Sequence, residues 1–423
     1  MTAAPACQSL PVAYVLLWFP LSSETFIFRE VENLAALGLD VRVYTLYGDR
    51  EKGISEAMRN YGRPVQRMGS KAFFAIWGAF FRQLRANPRL VWRLLRSGLF
   101  RKMRNLEAQG ENLWCFMAGF LLAEKCRKDQ IALIHAPWAN GPATAAWVAS
   151  QLSGIPFAFT GRAGDIYPQD GILREKAESA LFVRVNNEAN VQWLRKFCPP
   201  DRQQKVKLVY NSLTFPENSP LHSRKAAPPY RLLAVGRLVR TKGFPELFTA
   251  IARLRREKFP VTLTVVGDGA WKSRLDNLRK RLRLEEVIEM AGFIPNDRLA
   301  AIMREHDLLV VPSVVYKNGD RDGIPNVIME AASLGLPVVA TNVCGIAEVI
   351  RNGETGHLVP QRNPAALACA IRDALEHPAQ TRQLAANAGR LVREMFDSRK
   401  NTQALKALYL QALGRDGGNA GQA

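Results

Sequence analysis

Asp320-Arg-Asp-Gly-Ile-Pro-Asn-Val-Ile-Met-Glu-Ala-Ala-Ser-Leu-Gly-Leu-Pro337 is the stretch on which the reading of this chain turns. An apolar run from Asp307 to Ser313 precedes it and a second, from Pro337 to Thr341, follows. A loop carrying Gly323 and Pro325 therefore has to leave one buried strand and enter a helix. Proline suits a first helical turn, where its missing N–H costs nothing. Asp322 on the loop and Glu330 on the helix then stand beside a helix N-terminus, whose free N–H groups and dipole favour an anion such as a diphosphate. Carboxylates repel phosphate, so these two should hold hydroxyls, of a ribose, a sugar or both. Acids at a helix start also serve as plain partners of the helix dipole.

Composition sets the frame. A length of 423 residues exceeds one ordinary core and predicts about two domains. The cysteines are scattered, with no Cys-x-x-Cys pair, which favours reduced thiols in a cytoplasm and gives no structural zinc site. Val12 to Leu21 is apolar, but no basic residue precedes it and Glu24 follows closely, so it reads as a first strand. The net charge of +20 calls for a polyanionic partner: a phosphorylated substrate, an anionic membrane face or nucleic acid. No nucleic-acid motif accompanies the charge, which leaves the membrane surface as the better partner.

Along the chain, residues 11–47 read as strand, helix and strand, with Ser22 or Ser23 capping the helix and Gly38 stopping it. Between Arg63 and Lys128 there are 14 Lys/Arg against 3 Glu, interleaved with Phe73, Phe74, Trp77, Phe81 and Trp92. Arg82, Arg85, Arg89, Arg93 and Arg96 fall at helical spacing beside that apolar face, the pattern of a helix lying in a membrane interface. The same pattern fits a helix that packs its aromatic face on the domain. A strand ending near His135 and another opening into Gly161-Arg-Ala-Gly-Asp-Ile-Tyr167, with Arg162 and Asp165, place both loops at the ligand edge of a doubly wound sheet. Ser212 to Tyr230 carries four prolines among polar residues and reads as a linker. A second strand–helix alternation follows. Asn401 to Leu413 has helical spacing and can cross back to the first domain, and the Gly-rich end from Arg415 to Ala423 reads as disordered. The resulting division is 1–215, 216–395 and 396–423, with a basic aromatic insertion over about 63–128.

Five motifs of the second half carry a resemblance. They are Gly236-Arg-x4-Lys-Gly243, Val266-Gly-Asp-Gly269, Gly292-Phe-Ile-Pro295, Pro312-Ser313 and the acid pair Asp322 and Glu330. In that order they resemble the retaining glycosyltransferases of family 4. Pro20-Leu-Ser-Ser-Glu-Thr-Phe26 is similar to a turn of those members that build bacterial exopolysaccharides, the colanic-acid type. The resemblance implies the GT-B fold, an α/β architecture of two doubly wound Rossmann-like domains facing across a cleft. It also implies a reaction: retaining transfer of a hexose from a nucleotide-sugar to a lipid-linked or polyprenyl-diphosphate-linked glycan at the inner membrane face, with no metal or cofactor.

Residue by residue, the resemblance makes Arg237 and Lys242 the cations that grip the donor diphosphate. Asp322, with the Gly323-Ile324-Pro325 backbone, contacts the donor sugar, and Glu330 holds the ribose. Gly236, Gly267, Phe293, Ile294 and Asn326 complete the donor side, while Ser23, Glu24, His135, Arg162 and Asp165 fall on the acceptor side. Two departures stand out. Asp322 replaces the usual glutamate, and Arg162 stands where a histidine is usual. Arginine is no base at neutral pH, yet it can bind a phosphate or a sugar hydroxyl. Asp320-Arg-Asp322 also matches a metal-binding Asp-x-Asp, a pattern too short to stand alone. A nucleotide-sugar epimerase, a phosphorylase, an inactive sugar- or lipid-binding scaffold and a basic nucleic-acid binder are the alternative readings.

Overall fold

The computed structural model describes residues 10–414 apart from 23, 50–53, 100, 102, 104, 169, 214–221 and 223. Residues 214–221 and 223 of the proline-bearing linker, and the glycine-rich end, thus lie outside the described residues. The described residues form two compact units. One runs to Asn186 and adds 190–213 and the chain from Ser398 on; the other takes 187–189 and the residues between Leu213 and Ser398.

The first unit is built on a sheet in which every pairing is parallel. Its strands are β1 (Pro11–Leu16), β2 (Asp40–Thr45), β3 (Val65–Arg67), β4 (Leu133–Ala136), β5 (Phe157–Gly161), β6 (Val183–Val185) and β7 (Val206–Leu208). They lie in the order β3-β2-β1-β4-β5-β6-β7. The inner strand β1 reads Pro-Val-Ala-Tyr-Val-Leu without polar alternation because helices cover both of its faces. Val12 stands opposite Val41 on one side and Leu133 on the other. The chain builds outward from β1 and then restarts at β4, so the order reverses between them, the place where such sheets bind ligands.

The helices of this unit depart from the sequence reading at two points. The cap position of the first helix, Thr25–Ala36, is Glu24, which makes no side-chain cap bond, rather than Ser22; Ser23 lies outside the described residues. The basic aromatic run is not one helix but two, Phe73–Ala86 and Pro88–Gly98. Pro88 causes the break, since its ring keeps the preceding residue out of the helical region, and Asn87 sits at φ −140°, ψ 63°. A third helix, Leu106–Lys128, is the buried spine of the insertion. It touches helix Gly141–Ser153 so closely that a Cβ on Gly119 would stand 2.7 Å from Val148 Cβ.

The last helix, Ser398–Ala412, lies on helix Thr25–Ala36 and buries Leu405, Leu408 and Tyr409. Polar bonds tie it down. Tyr14 and Tyr409 hydroxyls meet at 2.9 Å, Asn33 donates to Ser398 Oγ at 2.6 Å, and Lys406 donates to the Leu37 carbonyl at 2.8 Å. Beneath it lies a buried ion pair, Glu30 with Arg184, and the Tyr14 hydroxyl donates to the same carboxylate at 3.0 Å.

The second unit repeats the plan with β8 (Tyr230–Val235), β9 (Val261–Val266), β10 (Ile288–Gly292), β11 (Leu308–Val311), β12 (Val338–Thr341) and β13 (His357–Val359). The order is β10-β9-β8-β11-β12-β13, again all parallel, and the reversal falls between β8 and β11.

Candidate functional site

The loops leaving β8, β9 and β11 in the second unit stack backbone on backbone. Gly243 is left-handed at φ +66°, and a Cβ there would stand 1.7 Å from the Pro312 carbonyl oxygen. Gly267, at φ +145°, would place a Cβ 2.0 Å from the Gly236 oxygen. Only glycine permits either approach. Val314 N–H donates to the Thr241 carbonyl at 2.8 Å and fixes the first and third loops together.

This packing aims Lys242. Its stem passes over Gly236, where a Cβ would meet Cδ at 3.1 Å, and its Nζ reaches Asp322 Oδ1 at 2.9 Å. The other carboxylate oxygen accepts from Ser313 Oγ at 2.5 Å, and Thr341 Oγ1 donates to the Ser313 carbonyl at 2.5 Å. Lys242 and Asp322 keep 16% and 15% of their side-chain surface in solvent, enough for a ligand to reach both. Arg240 is occupied by Glu246 through two bonds. Arg237 is exposed and forms no ion pair among the described residues, so its charge is available.

Helix Asn326–Leu334 starts directly after Pro325, and Gly335, left-handed at φ +78°, ends it. Pro325 is thus the residue before the helix rather than part of its first turn. Glu330 is half-buried on the second turn, and Ile324 is buried where a Cβ on Gly345 would stand 2.8 Å from its Cγ1. Phe293 is 58% exposed, and Ile294 lines a groove with Thr262, Thr264 and Ile302. The structure brings Lys242, Asp322 and Ser313 into direct contact. The sequence showed Pro312-Ser313 as a motif but not what the hydroxyl does, and Thr341 carried no signal beyond ending an apolar strand.

The expected acceptor-side residues sort differently. Ser23 lies outside the described residues, and Glu24 supplies the backbone start of the first helix. Asp165 is buried and braces the loops after β4 and β5 by accepting from Ala139 N–H at 2.5 Å and Arg162 N–H at 2.7 Å. Burial pushes its pKa up to about 7, against the pull of those two donors and of Arg162 and Lys176. Arg162 is only 4% exposed. Its Nε donates to the Pro137 carbonyl at 3.2 Å, its Nη1 to Asn211 Oδ1 at 2.7 Å, and its guanidinium carbon lies 4.3 Å from the Phe26 ring centre. Nη2 has no partner among the described residues. Burial, then the nearby Arg184, lowers its pKa to about 10, so it stays charged at neutral pH.

His135 is corrected outright. It is wholly buried, with Nε2 3.1 Å from Thr160 Oγ1 and its ring against Tyr14 and Tyr409, so it is a core residue and not a surface contact. A residue at the end of a short strand can point into the core as easily as toward the edge, and the sequence does not distinguish the two. Burial lowers its pKa to about 3, so the folded protein holds it neutral where the unfolded chain protonates it below about 6.5. The folded pKa is depressed, so its contribution is present above the unfolded value and is lost as pH falls toward the folded one. Between pH 6.5 and 5 the loss is about 2 kcal/mol. Urea unfolding at both pH values should show that step in the wild type and not in His135→Gln; equal steps in the two would remove His135 as the cause.

Residues 218–391 match the family model described as Glycosyl transferases group 1. The chain is a glycosyltransferase carrying a group 1 domain. The transferase is 27% identical over 377 residues to the putative colanic acid biosynthesis glycosyltransferase WcaL of Escherichia coli strain K12, covering 85% of this chain and 89% of that one. It is 25% identical over 380 residues to the amylovoran biosynthesis glycosyltransferase AmsK of Erwinia amylovora, covering 86% and 90%. In structure it is similar to Anabaena HepE in complex with UDP and glucose, with TM-score 0.70 and 18% identity over 95% of this chain and 99% of that one. The transferase has the GT-B fold, two parallel-sheet Rossmann-like units.

Proposed function

We propose that this transferase moves a hexose from a nucleotide-sugar, with retention, to a lipid-linked glycan during bacterial surface polysaccharide synthesis at the cytoplasmic face of the cell membrane. The observation that carries the reading is the Lys242–Asp322–Ser313 constellation at the switch point of the second sheet, a fixed cation against a fixed carboxylate. A nucleoside diphosphate needs cations where its charge grows on departure, and Lys242 with Arg237 supplies them, the electrostatic contribution usually largest in transfer chemistry. Asp322 orients the sugar hydroxyls and Glu330 holds the ribose, with Asn326 at the helix start beside them. Arg162, in the first unit, stays charged and stands where family 4 usually has a histidine. The reading meets the diphosphate charge with side chains and uses no metal.

Support comes from the relatives named for colanic acid and amylovoran biosynthesis, which the chain matches over most of its length, and from the UDP and glucose held by HepE. The test is calorimetry of the purified chain with UDP, GDP and ADP. One nucleotide should bind saturably and lose about tenfold or more in affinity in Glu330→Ala, the scale of one charged hydrogen bond. Silence with all three nucleotides sinks the reading in favour of an inactive scaffold.

A further inference from the structure

The exposed side of helices Phe73–Ala86 and Pro88–Gly98 plays no part in the donor site. These helices bury Ile76, Ala79, Val91 and Leu94 in the core of the first unit, yet their other side is strongly apolar. Phe73, Trp77 and Phe81 recur every four residues on the first helix, and with Phe74 form a continuous ridge, ring centres 5.6–6.3 Å apart along it. Phe74 is 85% exposed and Trp92, on the second helix, 66%. Leaving such rings in water is unfavourable, so the ridge calls for a partner.

Charge identifies the partner. Arg85 extends the four-residue stripe of the ridge, and Arg89, Arg93 and Arg96 line the next helix; all four are exposed, and none pairs with an acid among the described residues. Arg82, which does pair, is held by Glu124. A second copy of the chain would bring like charge against like charge. The rings lie against one another rather than spaced apart for stacking with bases, which disfavours single-stranded nucleic acid. No described helix is long and apolar enough to cross a bilayer, so the mode is superficial. Aromatic rings flanked by unpaired arginines fit the boundary between acyl chains and anionic headgroups.

We infer that helices Phe73–Ala86 and Pro88–Gly98 dock the first unit onto an anionic lipid surface, the ring ridge entering the headgroup boundary and Arg85, Arg89, Arg93 and Arg96 meeting lipid phosphates. The inference names the surface on which the proposed lipid-linked acceptor would be met, but its test needs neither donor nor acceptor. The full chain is sedimented with vesicles of phosphatidylcholine alone and of phosphatidylcholine with phosphatidylglycerol. Binding should require the anionic lipid and weaken with salt. Replacing the four arginines by glutamine should weaken it more than about 100-fold, at about fivefold for each charge. Phe74→Ser with Trp77→Ser should also release the protein and abolish the blue shift of tryptophan fluorescence on vesicle addition. Nucleotide affinity, read by calorimetry, should be unchanged in both variants, which separates this result from the fate of the donor site. Equal binding to neutral and anionic vesicles, or binding to neither, overturns the inference. A dimer abolished by the two aromatic changes, or tighter binding to DNA than to anionic vesicles, replaces it.

Discussion

Lys242→Ala should lower turnover about 10²–10³-fold, the usual cost of removing one preorganised group that meets developing charge. Asp322→Asn should lower turnover as well, yet its effect on nucleotide binding should be opposite. The Lys242 ammonium lies 2.9 Å from Asp322, so without donor its charge is satisfied inside the protein. A diphosphate arriving at this edge must compete with that carboxylate for the ammonium. Asparagine keeps the shape and the Ser313 bond but removes the competing charge, leaving Lys242 free for phosphate. Nucleotide affinity should therefore be unchanged or higher in Asp322→Asn and lower in Lys242→Ala, while both are poor catalysts. Calorimetry and turnover on the two variants decide it. If Asp322→Asn weakens the nucleotide as much as Lys242→Ala does, the pair is only a structural brace.

The second large effect is on stability. Glu30→Ala should cost about 3–5 kcal/mol, because it strands a buried arginine. Arg184 is 1% exposed and also donates to the Val209 and Tyr210 carbonyls at 3.1 Å, so it cannot swing out without breaking those bonds. Burial alone would raise the Glu30 pKa, but Arg184 and then Arg162 more than offset it and leave the carboxyl below its usual range; burial pulls Arg184 down, and the pairing with Glu30 outweighs it and holds the guanidinium above its own. The double variant Glu30→Met, Arg184→Met should recover most of the loss, since an apolar pair of similar volume avoids burying either charge. Urea unfolding of the three proteins tests this. A single-variant loss under about 1 kcal/mol would mean that water reaches the guanidinium.

The sequence disclosed the fold where period and punctuation agree. The apolar runs at 12–16, 261–266 and 308–311, each followed by glycine, proline or serine and a helical pattern, become parallel strands of the two sheets. It disclosed Lys242 and Asp322 as candidates but not their contact, because that contact depends on Gly243 and Gly267 bringing three separate loops together. His135 was misplaced because a strand end gives no side-chain direction. The cap position expected at Ser22 or Ser23 falls at Glu24, because several polar residues in one turn compete for the same start. The break at Pro88 was written in the residue itself and was outweighed by the arginine spacing around it. Glu30 and Arg184, separated by 154 residues, leave no local trace at all.

The return of helix Ser398–Ala412 to the first unit bears on how the protein is made. Tyr409 closes the floor beneath Tyr14, 395 positions earlier. A nascent chain therefore presents the first sheet to the cell with that floor open throughout translation of the second unit, whose own elements are contiguous apart from 187–189. The residues of the second unit are all made once Asp397 is added, whereas the first unit must wait for Tyr409. Release between Asp397 and Leu405 would yield a polypeptide whose second unit is whole and whose first unit lacks the Leu405, Leu408 and Tyr409 that seal it, the kind of product that quality-control proteases remove.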